Sequence, residues 1–193
     1  MASITTNALQ NLTGTIALAG AGKMGGAMLT GWLAGGLDAS RVVVIEPSPS
    51  PEIAAFAAKG IRLNPSAKDT GTVETLVVAV KPQSFREAGA ALKPFAGPTT
   101  LVVSIMAGAT IASISDNCGG AVVRAMPNTP ALIGEGMTVL CAGPEAQATQ
   151  LEVAELLFRA VGRTAIVEES LMDGVTGLSG CGPAYIYLII EAL

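Results

Sequence analysis

The chain has 193 residues, half of them hydrophobic and 13% charged, with a formal net charge of −4. That is apolar material for one sizeable core and part of another, and the lack of any block of Lys or Arg argues against nucleic acid and membrane surfaces as partners. There is no histidine, which excludes Ser-His-Asp and Cys-His catalysis and most zinc sites.

The first residues, MASITTNALQNLTG, carry no basic residue and no apolar run. Neither a signal peptide nor a transit peptide is expected, and residues 1–14 read as a flexible tail. A strand is predicted at 15–20 (TIALAG), then a helix with Met24, Ala27, Met28, Gly31 and Trp32 on one face. RVVVIE at 41–46 is a second strand, and SPEIAAFAAKG is a helix closed by Gly60. Further strands are predicted at 74–80, 100–105 and 121–126, with two more in MTVLCAG and TAIVEE. A helix at about 145–161 separates those two and carries Val153, Leu156, Leu157, Ala160 and Val161 on one face. The early strands are continuously apolar, as a parallel sheet buried on both faces requires. Alternating strand and helix then imply a Rossmann-type, doubly wound, mainly parallel α/β domain over residues 15–168. Ser170 and Asp173 resemble a capping box opening a new helix. From Tyr185 a last helix carries Tyr185, Leu188, Ile189, Ala192 and Leu193 on one face and Ile186 and Ile190 on a second, so it is expected to be buried against something. No stretch reaches the roughly 18 apolar residues of a membrane span. Cys118, Cys141 and Cys181 have no metal-ligand spacing, so no metal is expected, and a reduced, cytoplasmic setting is the simplest reading.

Gly20, Gly22 and Gly25 form a G-x-G-x-x-G pattern in LAGAGKMGGAM. The first glycine permits a tight turn, the second lets backbone approach a pyrophosphate, and the third allows close helix–strand packing. The pattern follows the first strand and opens the first helix, where main-chain N–H groups meet phosphate, so dinucleotide binding is expected. A purely structural glycine turn is the plainer reading. Glu46 lies 21 positions after Gly25, near the spacing of an acid that binds ribose hydroxyls in NAD sites. Ser48 and Ser50 follow and could accept the extra phosphate of NADP, with no Arg beside them. Both readings stay open, as does a Glu46 that only faces solvent. Lys81 and Pro82 end the strand VAV, at the strand edge where open α/β sheets bind ligands. SIMAG at 104–108 repeats that logic.

RAMPNTPALIGEGMTVL at 124–140 fixes a rigid loop with Pro127 and Pro130. Together with GAGKMGGA, AVKP, VVSIMAG and DGVTGLSGCGPAY, in that order from about residue 15 to residue 193, it resembles the pyrroline-5-carboxylate reductase family. That resemblance implies NAD(P)H-dependent reduction of 1-pyrroline-5-carboxylate to L-proline. It implies cofactor contacts at Gly20, Ala21, Gly22, Lys23, Met24 and Gly25, at Ser48, at Ala79, Val80, Lys81 and Pro82, and at Ala107. It also puts Asn128 and Glu169 near the nicotinamide and the substrate. The Ser48–Pro49 pair gives a slight lean to NADPH over NADH. Residues 169–193 then open an all-helical dimerisation domain, and self-association through residues 170–193 is expected. Cys181 stands where the family usually has Ser and is read as a buried small residue. The family's helical domain continues well beyond this point and holds the substrate in a loop absent here, so little proline formation is expected from these residues alone.

A protonated cyclic imine is already electrophilic, so alignment of donor and acceptor is the main requirement and the missing histidine is no obstacle. No catalytic nucleophile is assigned. Another β-hydroxyacid-type dehydrogenase is the competing enzyme; such enzymes often use a helical-domain Lys, and none occurs between Arg163 and Leu193. A non-catalytic NAD(P)-binding module is the alternative from a different class.

Overall fold

The computed structural model describes residues 9–193. Its strands are β1 (Ile16–Ala19), β2 (Val42–Ile45), β3 (Arg62–Leu63), β4 (Thr75–Val78), β5 (Leu101–Ser104), β6 (Ala121–Met126), β7 (Gly136–Ala142) and β8 (Gly162–Ile166). Its helices are α1 (Lys23–Ala34), α2 (Pro51–Ala55), α3 (Ala67–Thr70), α4 (Phe85–Leu92), α5 (Ile111–Cys118), α6 (Ala148–Arg159), α7 (Met172–Val175) and α8 (Gly182–Ala192). The strands form one 8-stranded sheet in the order β3-β2-β1-β4-β5-β6-β7-β8. All neighbours run parallel except β6 and β7. The first six strands thus have the doubly wound order, with the direction of strand addition reversing at β1 and β4.

The continuous apolar runs are explained by burial on both faces. Successive side chains of a strand point to opposite sides. Ile16, Leu18, Val42, Val44, Val77 and Val103 pack on one side with Met28, Leu29 and Trp32 of α1 and Leu157 and Phe158 of α6. Ala17, Ala19, Val43, Leu76, Val78 and Val102 pack on the other with Phe85, Leu92, Ile114 and Cys118 of α4 and α5. Trp32 is fully buried, and its indole N–H donates to Leu157 O at 2.8 Å. That bond satisfies the one polar atom of the largest core side chain.

Several expectations change. The tail reading for residues 1–14 falls partly on residues 1–8, outside the described part; from Leu9 on the chain is packed, since Leu9 is 1% exposed and its N–H donates to Gly35 O at 3.3 Å. The buried side of α6 runs through Ala154, Leu157 and Phe158, while Val153 and Leu156 lie at its margin. On α1, Leu29 joins Met28 and Trp32 in the core, and Ala27 does not. Ser170 caps nothing: it sits inside a short 3-10 turn, Glu169–Leu171, that leads into α7, with no side-chain cap at either start. The last helix begins at Gly182, with Pro183 in its first turn, three residues before Tyr185.

The second half of the last segment differs from all that precedes it. Met172 is buried beside Met126, Val139 and Cys141 and fastens α7 to the sheet. A π-helical turn, Thr176–Gly180, follows, and then α8, none of whose residues is buried. Tyr185, Ile186, Tyr187, Leu188, Ile189 and Ile190 are all more than half exposed.

Candidate functional site

In a parallel sheet all strands end on one edge, and this sheet presents there the loops after β1, β2, β4, β5 and β6. The loop after β1 carries the glycines. Gly20 has φ +90, and a Cβ there would lie 2.6 Å from Ala79 O, so both its conformation and its neighbour demand glycine. Its N–H donates to Ile45 O at 2.9 Å, while Ala79 N–H donates to Ala19 O at 2.7 Å. A Cβ on Gly25 would run into Gly20 O, so α1 packs directly on the turn. Gly22 is different. It is the N-cap of α1 with φ −66, and a Cβ there would meet nothing within 4 Å. Nothing in the chain itself requires a glycine at 22, whereas a ligand lying on the helix N-terminus would. Ala21 is buried under this loop, Met24 is half-buried, and Lys23 is exposed at the first turn of the helix.

The loop after β2 is tied to the glycine loop. Glu46 Oε2 accepts from Ala21 N–H at 2.8 Å and its Oε1 accepts from Ser48 N–H at 3.1 Å. Glu46 therefore does more than face solvent. Ser48 is exposed beside it, and Ser50 accepts from Ile53 N–H as the N-cap of α2. After β4, Ala79 and Val80 are half-buried at the crevice, and Lys81 and Pro82 lie exposed where a 3-10 turn begins. Ala107 is exposed after β5. After β6, Asn128 is 9% exposed; its Oδ1 accepts from Met137 N–H at 2.9 Å, which fixes the proline loop on β7.

Asn128 also lines an open cavity of about 620 Å³, with Leu178, Ser179, Pro183, Tyr185 and Ile186 among its other walls. This cavity joins the sheet edge to the π-helical turn and α8. Glu169 does not line it. Its Oε1 accepts from Ile111 N–H and from Arg124 Nη1, each at 2.8 Å. Desolvation works to raise the Glu169 carboxyl pKa, but the Ile111 N–H and the Arg124 guanidinium outweigh it and hold the group below the ordinary Glu value.

The sheet therefore brings the residues at 20–25, 46, 48, 79–82, 107 and 128 to one edge. Glu169 is bonded to the first residue of α5, the helix that follows the loop of Ala107. Two contributors are absent from the sequence reading. Asn64 is the one non-glycine residue with positive φ among those described, and its amide pairs with both main-chain groups of Glu46; nothing in LNP announces that. Arg124 does have a signal, since a lone Arg inside AVVRAM has to find an anion when the strand is buried.

A family model described as NADP oxidoreductase coenzyme F420-dependent matches residues 15–108, and one described as pyrroline-5-carboxylate reductase dimerisation matches residues 169–193. A pyrroline-5-carboxylate reductase of Methanosarcina acetivorans is 37% identical over 182 residues, covering 92% of this chain and 67% of its own length. The structure of a pyrroline-5-carboxylate reductase from Coxiella burnetii superposes with a TM-score of 0.84 at 34% identity, covering 94% of this chain and 69% of that one. The Plasmodium falciparum pyrroline carboxylate reductase, crystallised with NADP bound, superposes with a TM-score of 0.81 at 28% identity over 96% of this chain and 68% of that one. The first curated relatives are spanned over 50%, 66% and 67% of their length. At 37% identity to the Methanosarcina protein and 34% to the Coxiella structure, over more than two thirds of each, the chain belongs to the pyrroline-5-carboxylate reductase family.

Proposed function

We propose that residues 15–168 bind a reduced nicotinamide dinucleotide and that residues 169–193 open a helical dimerisation unit. The activity is NAD(P)H-dependent reduction of the C=N bond of 1-pyrroline-5-carboxylate to L-proline. The observation that carries this reading is Gly22: a glycine at a helix N-terminus with open space where its side chain would be, on the edge where doubly wound sheets bind ligands.

When bound, the dinucleotide supplies the hydride, and solvent supplies the proton that the imine nitrogen keeps. The chain supplies position. Main-chain N–H groups of Gly22, Lys23 and Met24 are the pyrophosphate donors. Gly20 and Gly25 hold Ala21 and the start of α1 in place. Ala79, Val80, Lys81 and Pro82 form the opposite wall of the crevice, and Ala107 gives close approach on the next strand. Asn128 faces the cavity that α8 closes, where a nicotinamide and a small cyclic substrate meet. Glu169 takes part as a brace: it ties Arg124 of β6 to the N-terminus of α5 and sets the start of the helical segment. Ser48 and Pro49 speak for NADPH and Glu46 for NADH; the choice turns on how that carboxylate is held. The exposed apolar side of α8 is the self-association surface, which agrees with the dimerisation match over residues 169–193. The three unpaired cysteines fit the cytoplasmic location. No helix among the described residues is long and apolar enough to cross a membrane.

The test is an imine-reduction assay on the product of the gene that carries these residues. Proline recovered in proportion to dinucleotide oxidised is the expected result. Dinucleotide bound without proline formed leaves the non-catalytic binding module.

A further inference from the structure

Glu46 is held from two sides. Asn64 accepts from Glu46 N–H at 2.8 Å and donates to Glu46 O at 2.9 Å, while its own N–H donates to Val44 O at 2.7 Å. The side chain then bridges two loops, one oxygen on Ala21 N–H and the other on Ser48 N–H. The carboxylate thus acts as an internal anion on N–H donors at the tips of β1 and β2.

A phosphate on the adenosine ribose needs free donors and a nearby cation. Here the two donors are engaged, a negative charge sits among them, and no Lys or Arg occurs between Arg41 and Lys59. Those two flanking cations are held elsewhere: Arg41 Nη1 donates to Leu12 O at 2.6 Å, and Lys59 lies 4.9 Å from the Phe56 ring centroid. A free ribose hydroxyl is a donor, and a carboxylate with two bonds made still has lone pairs to accept it. We infer that Glu46, fixed in this posture, is the residue that selects NADH over NADPH. The inference rests on the dinucleotide reading above and reverses the slight lean drawn from Ser48 and Pro49.

Dissociation constants for NADH and NADPH are to be measured by calorimetry on the parent chain, Glu46→Ser and Glu46→Gln. The parent is expected to bind NADH about tenfold or more tightly than NADPH, because like charges across a contact are strongly disfavoured. Glu46→Ser, which frees both donors and removes the charge, is expected to raise NADPH affinity about tenfold and to weaken NADH, and so to close or invert the ratio. Glu46→Gln keeps the shape and one acceptor and falls between them. The ratio, not either constant alone, is the readout, so a general loosening of the loop leaves it unchanged. A parent that binds NADPH as well as NADH, or a ratio unmoved in both variants, overturns the role of Glu46 and leaves dinucleotide binding intact. A parent that binds neither overturns the binding reading itself.

Discussion

The sheet and the last helix are built from the same kinds of residue and end in opposite states. In β1, β2, β4 and β5 nearly every side chain is buried, by α1 and α6 on one side and by α4 and α5 on the other. In α8 the residues are as apolar, yet none is buried. Burial of a large apolar side chain contributes roughly 1.5–3 kcal/mol, and α8 leaves that contribution unrealised at Tyr185, Ile186, Tyr187, Leu188, Ile189 and Ile190. Apolar sequence tells that a surface will be covered; only the topology tells whether the same chain covers it.

The contrast is broken most strongly by removing one side chain from each region. Trp32→Ala is expected to cost about 3–5 kcal/mol, since it opens a cavity at a fully buried site and leaves Leu157 O without its donor. Leu188→Ala, on α8, is expected to change the stability of the isolated fold by no more than about 0.5 kcal/mol. Urea unfolding of both variants reads the difference; similar costs would mean that α8 is packed on its own chain.

Next in size is the effect on association. Leu188→Glu combined with Ile189→Lys is expected to shift the sedimentation profile toward monomer while dinucleotide affinity stays within about twofold, because neither residue touches the glycine loop. A parent chain that sediments as a monomer at every concentration, with α8 ordered, would remove α8 as the association surface.

The seam between the two regions has a pH signature. The Glu169 carboxyl is held below its ordinary value by the Ile111 N–H and Arg124, against the desolvation that would raise it. A depressed folded-state pKa gives stability that is present above the ordinary Glu value and is lost as pH falls below it through the lower folded-state value. Glu169→Gln should therefore flatten the loss of stability below about pH 4.5, the ordinary Glu value. An unchanged acid slope would remove this contact from the seam. The smallest effect concerns the thiols. Burial pushes the Cys118 pKa up to about 11 and raises that of Cys141. Alkylation of the native protein near neutral pH is expected at Cys181, which is half-buried, and not at Cys118. Peptide mass mapping distinguishes them.

Much of this was legible in the residues alone, for identifiable reasons. The strands read clearly because burial on both faces leaves no polar position inside them. The glycine loop read clearly because φ +90 at Gly20 and the contact of Gly25 with Gly20 O are demands that only glycine meets. The orientation of α6 did not, because apolar residues at 153, 154, 156, 157, 158, 160 and 161 cover too wide an arc to mark a centre. That centre is set by Trp32, which is bonded to Leu157 from 125 positions away in sequence. The two ties that shape the candidate site were hidden for the same reason. Asn64 reaches Glu46 across 18 positions, and Arg124 reaches Glu169 across 45. Periodicity and spacing describe neighbours along one element, and these contacts join elements that meet only in the folded sheet.

Gly22 combines its place at the N-terminus of α1, on the ligand-binding edge of the sheet, with open space where its side chain would be. Calorimetric titration of NADH and NADPH into Gly22→Val, beside the parent chain, tests dinucleotide binding on this loop most directly. The variant is expected to stay folded, since a Cβ at 22 meets nothing within 4 Å, with a small loss of stability from the poorer N-cap, and to lose detectable binding of both dinucleotides. A folded Gly22→Val variant that binds either dinucleotide as tightly as the parent would contradict the placement of the pyrophosphate on this loop.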